Sequence, residues 1–192
     1  MIDNKTHQIE WISSLKNKLG RQIDPKLIEK VIWALMLLGQ LRLKGLIFTF
    51  KGGTALLLAT EISKRFFINI DSITEHTEKE ISAVLQKIVT KKTFISWEDD
   101  NSRKHTLDAP VGHFKMYYKS AVDGHIEPVL LDLLYTPNPY PDVRELRIKH
   151  SWLATSGEDV IITMSTFDSI LNDKLIAFAS KQLEYYIIKT VR

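Results

Sequence analysis

Residues 48–71, FTFKGGTALLLATEISKRFFINID, place a glycine pair, a hydroxyl and a carboxylate within what reads as one strand–helix–strand unit. Gly52 and Gly53 would let the backbone approach a phosphate closely, the amides at a helix start would offer donors to an anion, and Thr54 adds a hydroxyl. A ligand-free strand-to-helix turn would use the same glycines, so the pair gains meaning only from its surroundings. Asn69 and Asp71 stand two apart on a strand and therefore share a face, where oxygen ligands suit a hard cation such as Mg²⁺. Position 69 offers an amide oxygen without charge. Asp132 lies inside the apolar run PVLLDLLY; such a carboxylate either sits on an edge facing water or requires a partner or a cation.

Other residues carry less. The six histidines are scattered without metal-ligand spacing and read as surface or packing residues. Glu98-Asp99-Asp100 reads as a solvated turn, and Trp11, Trp33, Trp97 and Trp152 as core. There is no cysteine, which excludes disulfide frameworks, thiolate metal sites and cysteine nucleophiles. Net charge is +3, yet residues 1–70 hold eleven Lys/Arg against five Asp/Glu, either ordinary surface variation or a basic lobe that receives phosphates. The polar start MIDNKTHQIEW has no signal-like apolar region and no apolar run reaches spanning length, so a cytoplasmic chain is expected.

The elements that would position these residues follow from spacing. Ile12, Leu15 and Leu19 mark one helical face; Asp24-Pro25 then caps a second helix carrying Leu27, Ile28, Val31, Ile32, Leu35 and Leu38 inward, with Gly45 as a stop. LIFTF at 46–50 reads as a strand, Thr54 to about Ser63 as a helix, and Phe66 to Ile70 as a strand ending at Asp71. Thr77 and Glu80 have capping-box spacing ahead of Ile81, Val84, Leu85 and Ile88. KTFISW, GHFKMYY and HIEPVLLDLLY look like antiparallel strands. TPNPYPD at 136–142 must be a loop, because each proline removes a donor. DVIITM reads as a strand and Ser165 to about Gln182 as a helix. With 192 residues and 44% hydrophobic composition, one α/β (α+β) unit is expected, with a helical segment over 1–45 packed on a core over 46–192.

FKGGTALLL at 50–58, followed by Arg65-Phe66-Phe67-Ile68-Asn69-Ile70-Asp71, resembles the AbiEii/AbiGii-like nucleotidyltransferase family in order, spacing and flanking residues. The resemblance implies a polymerase-β-like minimal nucleotidyltransferase fold, a mixed sheet flanked by helices. There an Asp-x-Asp pair and a third strand carboxylate hold divalent metal, Mg²⁺ or Mn²⁺, against a nucleoside triphosphate. It further implies Asn69, Asp71 and Asp132 as metal ligands, Asp71 and Asp132 as catalytic, and Arg65 at a motif position where it would face phosphate or flank the strand. ITMSTFDSILNDKLIAFAS at 162–180 resembles the family's last strand and helix, which makes Lys174 the matching ammonium for triphosphate charge and catalysis. The resemblance covers roughly residues 20–182; the family's last motif and helical C-terminal domain have no counterpart. Ser72 stands where the family pattern has an apolar residue.

Two functions follow. One is an AbiEii-like toxin nucleotidyltransferase passing a nucleotide from a nucleoside triphosphate to an RNA, tRNA or other hydroxyl acceptor, neutralised by a cognate antitoxin. The other is a relative that binds nucleotide, nucleic acid or protein without chemistry, since Asn69 costs the site an anionic ligand. An unrelated α/β interaction domain is a third reading, and it would make the ordered motifs coincidence.

Overall fold

A computed structural model describes residues 1–20, 22–60, 68–103 and 109–190, of which 180–190 as backbone alone. After a 3-10 turn at Asn4–His7 come α1 (Ile9–Leu19) and α2 (Pro25–Leu43). The Asp24 carboxylate accepts the Lys26 amide and Pro25 occupies the first turn, so α2 starts where Asp-Pro predicts. Next are β1 (Thr49–Lys51), α3 (Gly52–Thr60), β2 (Asn69–Thr74) and α4 (Glu78–Thr90). The chain continues through β3 (Ser96–Asp99), β4 (Val111–Lys119), β5 (Ile126–Tyr135), β6 (Val143–Arg147), β7 (Ile161–Ser165) and α5 (Phe167–Thr190).

The strands form one seven-stranded mixed sheet in the order β3-β4-β5-β2-β1-β7-β6. β1 runs antiparallel to β2 and parallel to β7, and β2 runs parallel to β5. The alternating rows bury Phe50, Ile70, Phe114, Met116, Tyr118, Leu131, Leu133, Ile162 and Met164 in a core shared with α1, α2, α3 and α4. Because side chains alternate along a strand, Lys51, Asn69, Asp71, His113 and Asp132 occupy the other face. That face is only half-buried at these residues. Glu29, buried on α2, accepts from the Ser120 hydroxyl and the Ala121 amide, both at 2.6 Å, and ties α2 to the β4–β5 turn. Burial pushes its carboxyl above the usual range, and the two donors oppose that shift.

Several boundaries differ from those read off the sequence. The glycine pair is the first turn of α3 rather than a linker before it, and β1 is only Thr49–Lys51. β2 runs on to Thr74, past the expected end at Asp71. β6, absent from the sequence reading, pairs antiparallel with β7 at the sheet edge; its VRELR pattern is polar because an edge strand exposes one face. Asp100 is buried rather than solvated, held by Lys115 at 2.8 Å and Arg103 at 3.2 Å. Among the described residues no helix is long and apolar enough to cross a membrane.

Candidate active site

The centre of the open face is set by strand register. Lys51 on β1 lies opposite Asp71 on β2, Asp71 opposite Asp132 on β5, and Asp132 opposite His113 on β4. These four side chains form a row across four strands, each step spanning about 4.8 Å, the usual strand spacing. Asn69 stands one pleat further along the same face of β2 as Asp71. Two half-buried carboxylates thus sit side by side. Burial is the main cause pushing the Asp71 pKa above the usual carboxylate value, and the charge of Asp132 adds to it, while Lys51 and Lys174 pull it down.

Each carboxylate has its own supports. Asp132 Oδ1 is hydrogen-bonded to His113 Nδ1 at 2.6 Å and ion-paired with Arg103 Nη2 at 3.2 Å. Arg103 also reaches the buried Asp100, so it links Asp132 to the Lys115–Asp100 pair. Asp71 faces Gly52 instead. Gly52 has φ +78°, a left-handed conformation suited to glycine, and a Cβ there would collide with the Asp71 carboxylate.

Beside Asp71 opens a hollow of about 170 Å³ lined by Lys51, Gly52, Asp71, Ile170, Asp173, Lys174 and Ala177. Of the residues singled out in the sequence, Gly52, Asp71 and Lys174 meet there, and Asp132 adjoins them through β5. Thr54 and Gly53 do not line it. Both are buried, and the Thr54 hydroxyl donates to the Asn69 carbonyl at 2.6 Å, fixing the first turn of α3 against β2. Arg65 lies outside the described residues.

Five residues escaped the sequence reading. Lys51 belongs to the FKGGTAL run, but only the β1–β2 pairing places it opposite Asp71. Asp173, adjacent to Lys174, pairs with Lys51 at 3.2 Å and accepts from the Tyr140 hydroxyl at 2.6 Å. Tyr140 comes from the proline-rich loop, and burial, the Asp173 bond and the Asp71 charge all raise its pKa. His113 shows only as one odd position in the alternating strand GHFKMYY, and Arg103 carries no pattern at all.

A wider hollow of about 440 Å³ lies along the same strands, where Thr49 pairs with Ile73, the next outward pair after Lys51 and Asp71. Its lining includes Glu75, Glu80 and His76 but no lysine or arginine, which makes it a poor phosphate site.

Whether the carboxylate row suits a divalent cation can be judged from its donors. Among the described residues no three His, Asp or Glu side chains converge as metal ligands. The row does offer two adjacent carboxylates, one with its pKa raised by burial and, after that, by the charge of the other, and an amide oxygen on the same face. That donor set fits one hard, oxygen-preferring ion, whose charge would relieve the repulsion. It is short of the anionic ligands for a closely spaced pair of ions.

The family model described as nucleotidyl transferase AbiEii toxin, Type IV TA system, matches residues 37–186. Among solved structures, a putative nucleotidyltransferase from H. pylori is similar at 19% identity and TM-score 0.48, over 77% of this chain and 56% of that one. JHP933 from Helicobacter pylori is similar at 18% identity and TM-score 0.47, over 77% and 54%. This chain therefore spans little more than half the length of those structures. No curated protein matches the sequence. The matched segment runs from the middle of α2 into α5 and holds the whole carboxylate row and the hollow beside it, so the chain belongs to the AbiEii nucleotidyl transferase toxin family of type IV toxin–antitoxin systems.

Proposed function

We propose that this chain binds a nucleoside triphosphate with Mg²⁺ or Mn²⁺ beside Asp71 and transfers its nucleotide to a hydroxyl of an RNA, tRNA or other acceptor. The observation that carries this reading is the in-register Asp71–Asp132 pair, whose Asp71 lines a hollow that also presents Gly52 and Lys174. Asp71, Asp132 and the Asn69 amide would hold the cation, which when bound neutralises triphosphate charge. Lys174 supplies a further ammonium for the triphosphate, and Gly52, having no side chain, lets the Asp71 carboxylate pack against the backbone at the edge of the hollow. Asp132, oriented through Oδ1 by His113 and Arg103, takes the proton of the acceptor hydroxyl as its oxygen bonds to the α-phosphorus and pyrophosphate leaves. The reaction belongs in the cytoplasm, where nucleoside triphosphates are abundant, and a cognate antitoxin would restrain it.

Asn69 favours a second reading, binding without chemistry, because it contributes an oxygen but no charge to the cation. Transfer of labelled nucleotide to bulk RNA tests both, measured with Mg²⁺ and with Mn²⁺ for the unaltered chain and Asn69→Asp. The expected outcome is weak transfer by the unaltered chain and an increase of about tenfold or more in Asn69→Asp, the scale of one charge-assisted contact. Full activity that the substitution leaves unchanged would show that the cation does not use position 69. Transfer by neither form would put the binding-only reading first.

A further inference from the structure

Two ammonium groups reach the hollow beside Asp71, and the one on the sheet is better placed than the one on the helix. Lys51 ends β1 directly before Gly52 and lies opposite Asp71 in the β1–β2 register. Its side chain is 26% exposed, whereas Lys174 is exposed. A partly desolvated ammonium acts on a neighbouring anion more strongly than a solvated one, because less water screens it.

The partner of Lys51 in this arrangement is Asp173 Oδ2, at 3.2 Å, on a side chain that is 39% exposed. Such half-exposed ion pairs contribute little, since solvent screens them and two long side chains must be ordered. A polyphosphate oxygen carries a similar acceptor with more charge behind it. Asp173 would not be stranded by the exchange, because the Tyr140 hydroxyl donates to the same Oδ2 at 2.6 Å.

We propose that Lys51 is the principal polyphosphate-gripping lysine of this site, giving up Asp173 for a phosphate oxygen, and that Asp173, retained by Tyr140, is the competing anion that limits how tightly polyphosphate binds. The proposal rests on the phosphate site argued above and assigns within it a residue and a competitor. It makes opposite predictions for the two members of one ion pair. Loss of the cation weakens binding, and loss of the anion strengthens it.

The test is calorimetric titration of the full chain with inorganic tripolyphosphate, with and without Mg²⁺, which reads phosphate binding without nucleoside, acceptor or turnover. Lys51→Met keeps most of the apolar stem and should weaken binding about tenfold or more, the scale of one charge-assisted contact. Lys174→Met should weaken it less, and Asp173→Asn should strengthen it severalfold. Lys51→Arg, which keeps the charge, should retain most of the affinity, and thermal melts of each variant check the fold. Unchanged affinity in Lys51→Met, or weaker binding in Asp173→Asn, overturns the proposal while leaving nucleotidyl transfer open. If the unaltered chain binds no tripolyphosphate, the phosphate site itself is refuted, and the proposed function with it. Should Lys51→Met fail to fold, Asp173→Asn and Lys51→Arg still decide the matter.

Discussion

Replacing Gly52 with alanine tests whether the Asp71 carboxylate is held where the fold places it. Gly52 has φ +78°, and the added Cβ would meet three Asp71 atoms: Oδ2 in collision, Cγ at 3.1 Å and Cβ at 3.2 Å. Rotating the carboxylate relieves the first contact but not the last, because Asp71 Cβ is fixed to β2. Gly124, in the β4–β5 turn, has φ +76° with nothing within 4 Å of its would-be Cβ. Both alanines therefore incur the left-handed backbone cost, about 1 kcal/mol, and only Gly52→Ala adds the collision. Overpacking and an off-rotamer side chain together add about 1–3 kcal/mol. The expected losses are thus ~1 kcal/mol for Gly124→Ala and ~2–4 kcal/mol for Gly52→Ala, or roughly 3 °C and 6–12 °C in melting temperature for a chain of this size. The assay is thermal denaturation with and without Mn²⁺. A cation at one hundred times its Kd stabilises by about 2.7 kcal/mol, and Gly124→Ala should keep that increment while Gly52→Ala loses most of it. Equal stability losses, with the Mn²⁺ increment intact in Gly52→Ala, would refute the placement of Asp71 as a cation ligand.

Two further outcomes concern pH. Because the folded Asp71 pKa is raised by burial and by Asp132, its ionisation opposes folding as pH climbs from the ordinary carboxylate value through the folded one, and the penalty is complete above that. Asp71→Asn should therefore have a higher urea midpoint than the unaltered chain at pH 7.5, with the gap closing near pH 3.5 and with no stabilisation by Mn²⁺. His7 behaves oppositely: burial lowers its pKa to about 4, both ring nitrogens are buried without hydrogen-bond partners among the described residues, and its ring lies 4.2 Å from that of Trp33. Stability is then lost as pH falls from about 6.5 through about 4, by about 3 kcal/mol in all, and His7→Phe should flatten that part of the urea midpoint against pH.

What the sequence carries by itself is whatever is decided within one or two turns of chain. The Thr77–Glu80 capping box, the Asp24-Pro25 start of α2 and the shared face of Asn69 and Asp71 all depend on neighbours a few residues away, so spacing records them. The lone Asp132 in an apolar strand was legible as a residue needing a partner, because burial of a charge is costly whatever surrounds it. Its partners were not legible. Asp71 is 61 positions away in the chain, and the parallel β2–β5 register that sets the two carboxylates side by side depends on two packed strands and on everything folded between them. The same holds for His113 and Lys51, the outer members of the row, each brought in by pairing across a neighbouring strand. Thr54 shows the limit from the other side: its position in the glycine-rich motif suggests a phosphate ligand, yet the packing of α3 on β2 turns its hydroxyl to the Asn69 carbonyl. Local spacing thus marked some of the residues that could do chemistry, and tertiary packing decided which of them meet and which others join them, because strand register and side-chain direction are set by contacts between segments far apart in the chain.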